Sequence, residues 1–128
     1  MLERMADQAE TTAAVSPTVM IVDDDDEVRA VVAEFLQDFG YHVVQADSAA
    51  TALALLEQTS DLRLMITDIR MPKMTGLELA DIVAQRRGDV KIILISGYFV
   101  SQRIERRFLR KPFRMKELED AVRAELGS

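Results

Sequence analysis

The chain contains no cysteine, which excludes a disulfide framework, a thiolate metal site and a cysteine nucleophile. Its one histidine is His42, so a multi-histidine metal centre is excluded as well. There is no apolar run of the roughly 18 residues that a membrane-spanning helix needs. The N-terminal "MLERMADQAETTAAVSP" has no apolar core and carries acids, unlike a secretory signal. Basic charge is in deficit. Lys and Arg number 16 against 22 Asp and Glu, a formal net charge of −6, which argues against general nucleic-acid binding. A cytoplasmic protein with no membrane segment and no direct nucleic-acid contact is expected. Proline and glycine are few, 3 and 5, and most stand where one element gives way to the next.

With 128 residues, 48% of them hydrophobic, the chain suits one domain with its own core. Residues 1–17 are polar and alanine-rich and read as a flexible tail. A folded domain spans 18–126, and 127–128 are a C-terminal end. From Thr18 short apolar runs alternate with helical patterns. "TVMIV" is a buried strand. Val28, Val31, Val32, Phe35, Leu36 and Phe39 follow at helical spacing, and Gly40 is the stop. "YHVVQA" is the second strand, with His42 a surface residue near its start. "SAATALALLEQ" is a helix capped by Asp47 or Ser48. "LRLMIT" is the third strand, ending at Asp68, and Pro72 breaks the stretch after it. Thr75 and Glu78 have capping-box spacing at the start of the next helix, which runs to about Arg87 before Gly88. "VKIILIS" is the fourth strand and "RFLRK" the fifth. "MKELEDAVRAEL" is the last helix, with Met115, Leu118 and Val122 facing inward.

Strands one, three and four are nearly continuous apolar runs, as in a parallel sheet covered by helices on both faces. The fold class is therefore α/β, an open doubly wound sheet of five parallel strands. In such sheets ligands bind beyond the carboxyl ends of the strands. The residues there are Asp23 and Asp24, Asp68, Ser96 and Lys111. Clustered carboxylates raise one another's pKa unless a cation lies among them. An all-oxygen donor set selects a hard cation such as Mg²⁺. A carboxylate can also attack phosphorus, and phosphoryl transfer calls chiefly for charge neutralisation. Asp25 and Asp26 are read as helix-capping and dipole partners rather than ligands.

Four stretches together resemble the receiver domain of two-component response regulators: "VDDDDEVR", "MITDIRMPKMTGLEL", "ILISGY" and "LRKPF". The resemblance covers about Thr18 to Leu126. It implies the flavodoxin-like strand order 2-1-3-4-5. It also implies that Asp68 is the phosphoacceptor for a phosphohistidine on a histidine kinase or histidine phosphotransfer protein, with switched partner binding as the output. By the same resemblance Asp24 is a direct Mg²⁺ ligand and Asp23 supports the metal. The backbone carbonyl of Arg70 is a further contact, and Mn²⁺ is a substitute ion. Ser96 and Lys111 contact the phosphoryl group. The Lys111–Pro112 bond is expected to be cis. Phe108 takes the position of the switch aromatic, where it has no hydroxyl to offer. The domain acts on itself and is not a turnover enzyme.

The sequence departs from the family in "GYFVSQRIERRFLR". That segment is shorter than usual by about two helical turns, so a shortened or irregular fourth helix is expected over 97–107. Arg103, Arg106, Arg107, Arg110, Arg114 and Lys116 make residues 103–116 basic. This is either a solvated face or a docking face for an acidic partner or a second receiver. The short segment also motivates a second function, a protein-interaction module that works without phosphorylation. A phosphatase is disfavoured because Arg70 stands where a second carboxylate would follow Asp68.

Overall fold

The structure, a computed structural model, describes residues 17–97 and 104–127. Residues 1–16 of the expected tail and most of the short segment before strand five lie outside the described residues. Among the described residues are five strands and four helices, in the order β1 Thr18–Val22, α1 Asp26–Asp38, β2 His42–Ala46, α2 Ala49–Gln58, β3 Leu62–Asp68, α3 Gly76–Arg86, β4 Lys91–Ser96, β5 Arg107–Arg110 and α4 Met115–Leu126. The strands form one parallel sheet in the order β2-β1-β3-β4-β5, as expected. Between β4 and β5 the described residues contain no helix.

The period-two alternation of the central strands builds two cores, one on each face. Val19 and Ile21 of β1, Leu64 and Ile66 of β3, and Ile93 and Ile95 of β4 meet α1 and α4 through Val32, Leu36, Leu118 and Val122. Met20, Val22, Met65, Ile92 and Leu94 face the other way, onto α2 and α3 through Ala52, Leu56, Leu79 and Val83. Each fully buried Ile or Leu contributes about 1.5–3 kcal/mol of transfer free energy. Phe108 and Ile104 border the second core, and Leu109 borders the first.

The local signals act as their chemistry dictates. Ser48 caps α2, accepting the Thr51 N–H. Thr75 and Glu78 form a complete capping box on α3. Gly40 has a positive φ of 100° just after α1, where a side chain would be strained. The Lys111–Pro112 bond is cis. His42 is exposed. One inward assignment is corrected: Met115 is 43% exposed, at the start of α4. Val31, at the helical spacing of the apolar residues of α1, is 48% exposed.

Candidate functional site

Strand register assembles the site. Val22 pairs with Thr67, Asp68 with Ile95, and Ser96 with Arg110. The residues leaving the sheet, Asp23, Asp68, Ser96 and Lys111, therefore share one rim. Asp23 is wholly buried. Its Oδ1 accepts the Asp25 N–H at 2.9 Å, and its Oδ2 takes the Lys111 ammonium at 3.2 Å. Asp25 is the N-cap of α1, accepting the N–H groups of Glu27 and Val28. Asp26 lies in the first turn of α1 and pairs with Arg29. The run of four aspartates thus divides: Asp23 and Asp24 belong to the rim, Asp26 to the helix, and Asp25 caps the helix at the edge of the cleft.

The loop after β3 folds back tightly. The Gly76 N–H donates to the Ile69 carbonyl at 2.9 Å. This brings the start of α3 against the backbone of Asp68 so closely that a β-carbon at Gly76 would overlap it. Lys73 turns the loop with a φ of 70°. The Thr67 hydroxyl donates to the Asp68 carbonyl at 3.0 Å, fixing the peptide that follows it.

Asp23, Asp24 and Asp68 each offer a carboxylate oxygen, and these oxygens lie within 4.8 Å of one another. With Asp25, Arg70, Met71, Pro72, Thr75 and Lys111 they line a cleft of about 590 Å³. Lys111 Nζ stands 3.6 Å from Asp68 Oδ2 as well as beside Asp23. Burial pushes the Asp68 carboxyl above its ordinary pKa. Lys111 and the Arg70 backbone N–H draw it down, the Asp23 and Asp24 charges push it up, and the net direction is up. For Lys111, burial alone would lower the pKa. The Asp23 and Asp68 carboxylates outweigh it, and the ammonium is held above its ordinary value.

The donor set fits a hard divalent cation: three carboxylates, no sulfur and no imidazole, at one open cleft. It also fits a nucleophilic carboxylate with an ammonium beside it. The raised pKa of Asp68 has a consequence for stability. The folded state holds this proton more tightly than the unfolded state, so stability falls as pH rises from the ordinary carboxylate pKa through the raised one. In metal-free solution near neutral pH, Asp68→Asn is expected to be more stable than wild type. The difference should vanish in acid, as thermal melts across pH would record.

The cleft gathers Asp23, Asp24, Asp68, Arg70 and Lys111. Ser96 ends β4 on the same rim, wholly buried, with its carbonyl accepting the Lys111 N–H at 2.8 Å. The cleft does not include Phe108, half-buried against the α2–α3 core. The basic run is partly neutralised within the molecule. Arg106 pairs with Asp81, Arg107 with Glu125 and Lys116 with Asp120; Arg103 lies outside the described residues. Sequence reasoning missed Arg29, whose guanidinium reaches the Asp23 carbonyl at 2.8 Å. The only hint was its i,i+3 spacing from Asp26.

Comparison with known proteins gives a consistent picture. The family described as response regulator receiver domain matches residues 19–123. The response regulator receiver protein CpdR of Brucella abortus is 30% identical over 111 residues, 81% of this chain and 92% of that protein. Sensor kinase CckA of the same organism is 33% identical over 122 residues, which is 88% of this chain and only 13% of the kinase. The crystal structure of the receiver domain of hybrid histidine kinase CckA superposes with a TM-score of 0.75 at 32% identity, covering 85% of this chain and 98% of that one.

Proposed function

Because the chain belongs to the response regulator receiver family, we propose that it is a phosphoacceptor switch in a two-component or phosphorelay system. A histidine kinase or histidine phosphotransfer protein is the donor. The observation that carries this reading is the Lys111 ammonium between two buried carboxylates, 3.2 Å from Asp23 and 3.6 Å from Asp68.

Asp68 is the nucleophile. One carboxylate oxygen attacks phosphorus, the P–N bond breaks, and its electron pair leaves with the donor imidazole. Lys111 neutralises charge on the transferred group. Asp23 holds Lys111 in place and is itself held by the Asp25 N–H. Mg²⁺, or Mn²⁺ in its stead, would be held by Asp23, Asp24, Asp68 and the Arg70 backbone carbonyl, and supplies further neutralisation of the phosphoryl oxygens. Ser96, buried at the end of β4, is the hydroxyl on this rim that would bond a phosphoryl oxygen, with a shift of β4 toward the group. Such a movement would draw on β4 and β5 and the packing of Phe108, a readout based on packing and not on a hydroxyl. The receiver acts on its own Asp68 and turns over no separate substrate.

With an acyl phosphate and Mg²⁺, the wild-type protein is expected to gain one phosphate, read as intact mass, and Asp68→Ala none. Mg²⁺ alone should raise the melting temperature of the wild type. A wild-type protein that stays unlabelled with Mg²⁺ present would sink the reading. The shortened, basic stretch before and through β5 favours a second reading, a module that binds partners without phosphorylation. Partner binding indifferent to Asp68→Ala and to acyl phosphate would select it. For either reading, Arg110 and Arg114 are exposed cations through which an acidic partner or a second receiver would engage the 103–116 stretch.

A further inference from the structure

Arg29 makes three contacts with three different nitrogens. Nη1 donates to the backbone carbonyl of Asp23 at 2.8 Å, Nη2 to Asp26 Oδ1 at 2.7 Å and Nε to Gln45 Oε1 at 3.3 Å. Its side chain is 16% exposed although Asp26 beside it is 83% exposed. An arginine folded down in this way has given up rotamer freedom and hydration, so the contacts it makes are specific ones.

The contact with Asp23 matters most. The carbonyl oxygen of Asp23 and the nitrogen of Asp24 belong to one planar peptide unit. Holding that oxygen fixes the plane and with it the Asp24 Cα, which narrows the directions in which the Asp24 side chain can leave the backbone. On the other side of the same residue, the Asp23 N–H donates to the Ala46 carbonyl of β2 at 3.1 Å. Gln45 anchors the guanidinium to the same strand. Asp24 itself is exposed, with three other aspartates beside it in sequence to repel it. Arg29 draws Asp26 away, and it does not line the acidic cleft. Its charge is therefore outside the space a cation would enter.

We propose that Arg29 is a positioning residue for a divalent-cation site. It clamps the Asp23–Asp24 peptide so that the Asp24 carboxylate faces Asp23 and Asp68. The proposal rests on reading those three carboxylates as that site. It predicts an effect opposite in sign to simple electrostatics. Removing a positive charge near a cation site should tighten cation binding; losing the clamp should weaken it. A lysine keeps the charge but lacks the fork that serves three acceptors at once.

The test is Mg²⁺ titration by calorimetry on the full chain, well below each variant's melting temperature. Arg29→Met is expected to weaken Mg²⁺ about tenfold, the scale of losing a residue that orients a ligand, and Arg29→Lys to weaken it less. A lowered melting temperature with unchanged Mg²⁺ affinity would mark a purely structural role and overturn the proposal, as would tighter binding by Arg29→Met. Should Arg29→Met fail to fold, Arg29→Lys decides, and binding equal to wild type overturns the proposal. If the wild type itself binds no Mg²⁺, the cation-site reading fails and the clamp with it. If the wild type binds and the variants match it, the clamp alone fails.

Discussion

Gly76→Ala is expected to abolish phosphoryl uptake at Asp68 and to destabilise the fold by roughly 2–3 kcal/mol. The added carbon would stand 2.9 Å from the Asp68 carbonyl carbon and 3.0 Å from Ile69 Cα, and closer still to the Asp68 carbonyl oxygen. All three are backbone atoms, so no flexible side chain can give way. Gly76 opens α3, where alanine would otherwise gain about 1 kcal/mol of helix propensity. The overlap exceeds that gain. Relief requires moving either the start of α3 or the Asp68–Ile69 backbone, which the Gly76 N–H and the Thr67 hydroxyl hold together. Either movement displaces Asp68, the proposed nucleophile, and a displacement of about 1 Å can cost about 100-fold in rate. Denaturant unfolding and phosphate incorporation measure the two effects separately. A variant with wild-type stability and full uptake would show that the loop yields where the backbone contacts say it cannot.

Lys111→Met is the second large effect, and its signature is a dependence on pH. The substitution leaves the Asp23 side chain 0% exposed and that of Asp68 9% exposed without their shared cation. Breaking a fully buried pair costs about 3–5 kcal/mol. Lys111 is itself 23% exposed, so roughly 2–3 kcal/mol at neutral pH is the expected loss once solvent screening is allowed for. Lysine is a lowering influence on the Asp68 pKa. Its removal raises that pKa further above the ordinary value. The folded variant then binds the proton more tightly than the unfolded chain, and its stability falls as pH rises through that window. Acidification should return much of the lost stability. In the wild type, Lys111 is itself held above its ordinary pKa. Its own contribution is complete below the ordinary lysine pKa and is lost only as pH rises through the raised value. Uptake by the variant should drop about 100-fold or more, since a point charge at the transferred group is gone. Thermal melts of both proteins between acid and neutral pH provide the check; a difference that does not change with pH would remove the carboxylates as its cause.

The alternation of strands and helices was legible because it depends on local signals: periodicity, the stop at Gly40, the Ser48 cap, the Thr75–Glu78 box. The rim residues were legible because a parallel sheet brings strand ends together whatever the loops do. What stayed hidden depends on contacts distant in sequence. Val31 follows the helical period, yet its exposure is set by a groove of about 560 Å³ that it lines with Val28, Phe35, Pro112 and Phe113. Met115 is likewise 43% exposed at the first turn of α4. The depth of Ser96 follows from its strand register. Arg29 acts by reaching from α1 to β1 and β2 at once, and the reason Gly76 must lack a side chain is a loop that closes on Asp68. Spacing alone carries none of these.

The two outermost strands have a consequence for behaviour at high concentration. A bare strand edge is a template on which a second chain can add a strand. Here the outer strands are short, 4 residues in β5 and 5 in β2. β5 begins and ends with exposed arginines, one of them tied to Glu125 of α4. β2 exposes His42 and Gln45. Charge and brevity therefore discourage sheet extension at both sides. Crowding this protein favours contacts through helical faces over growth of a continuous cross-strand assembly.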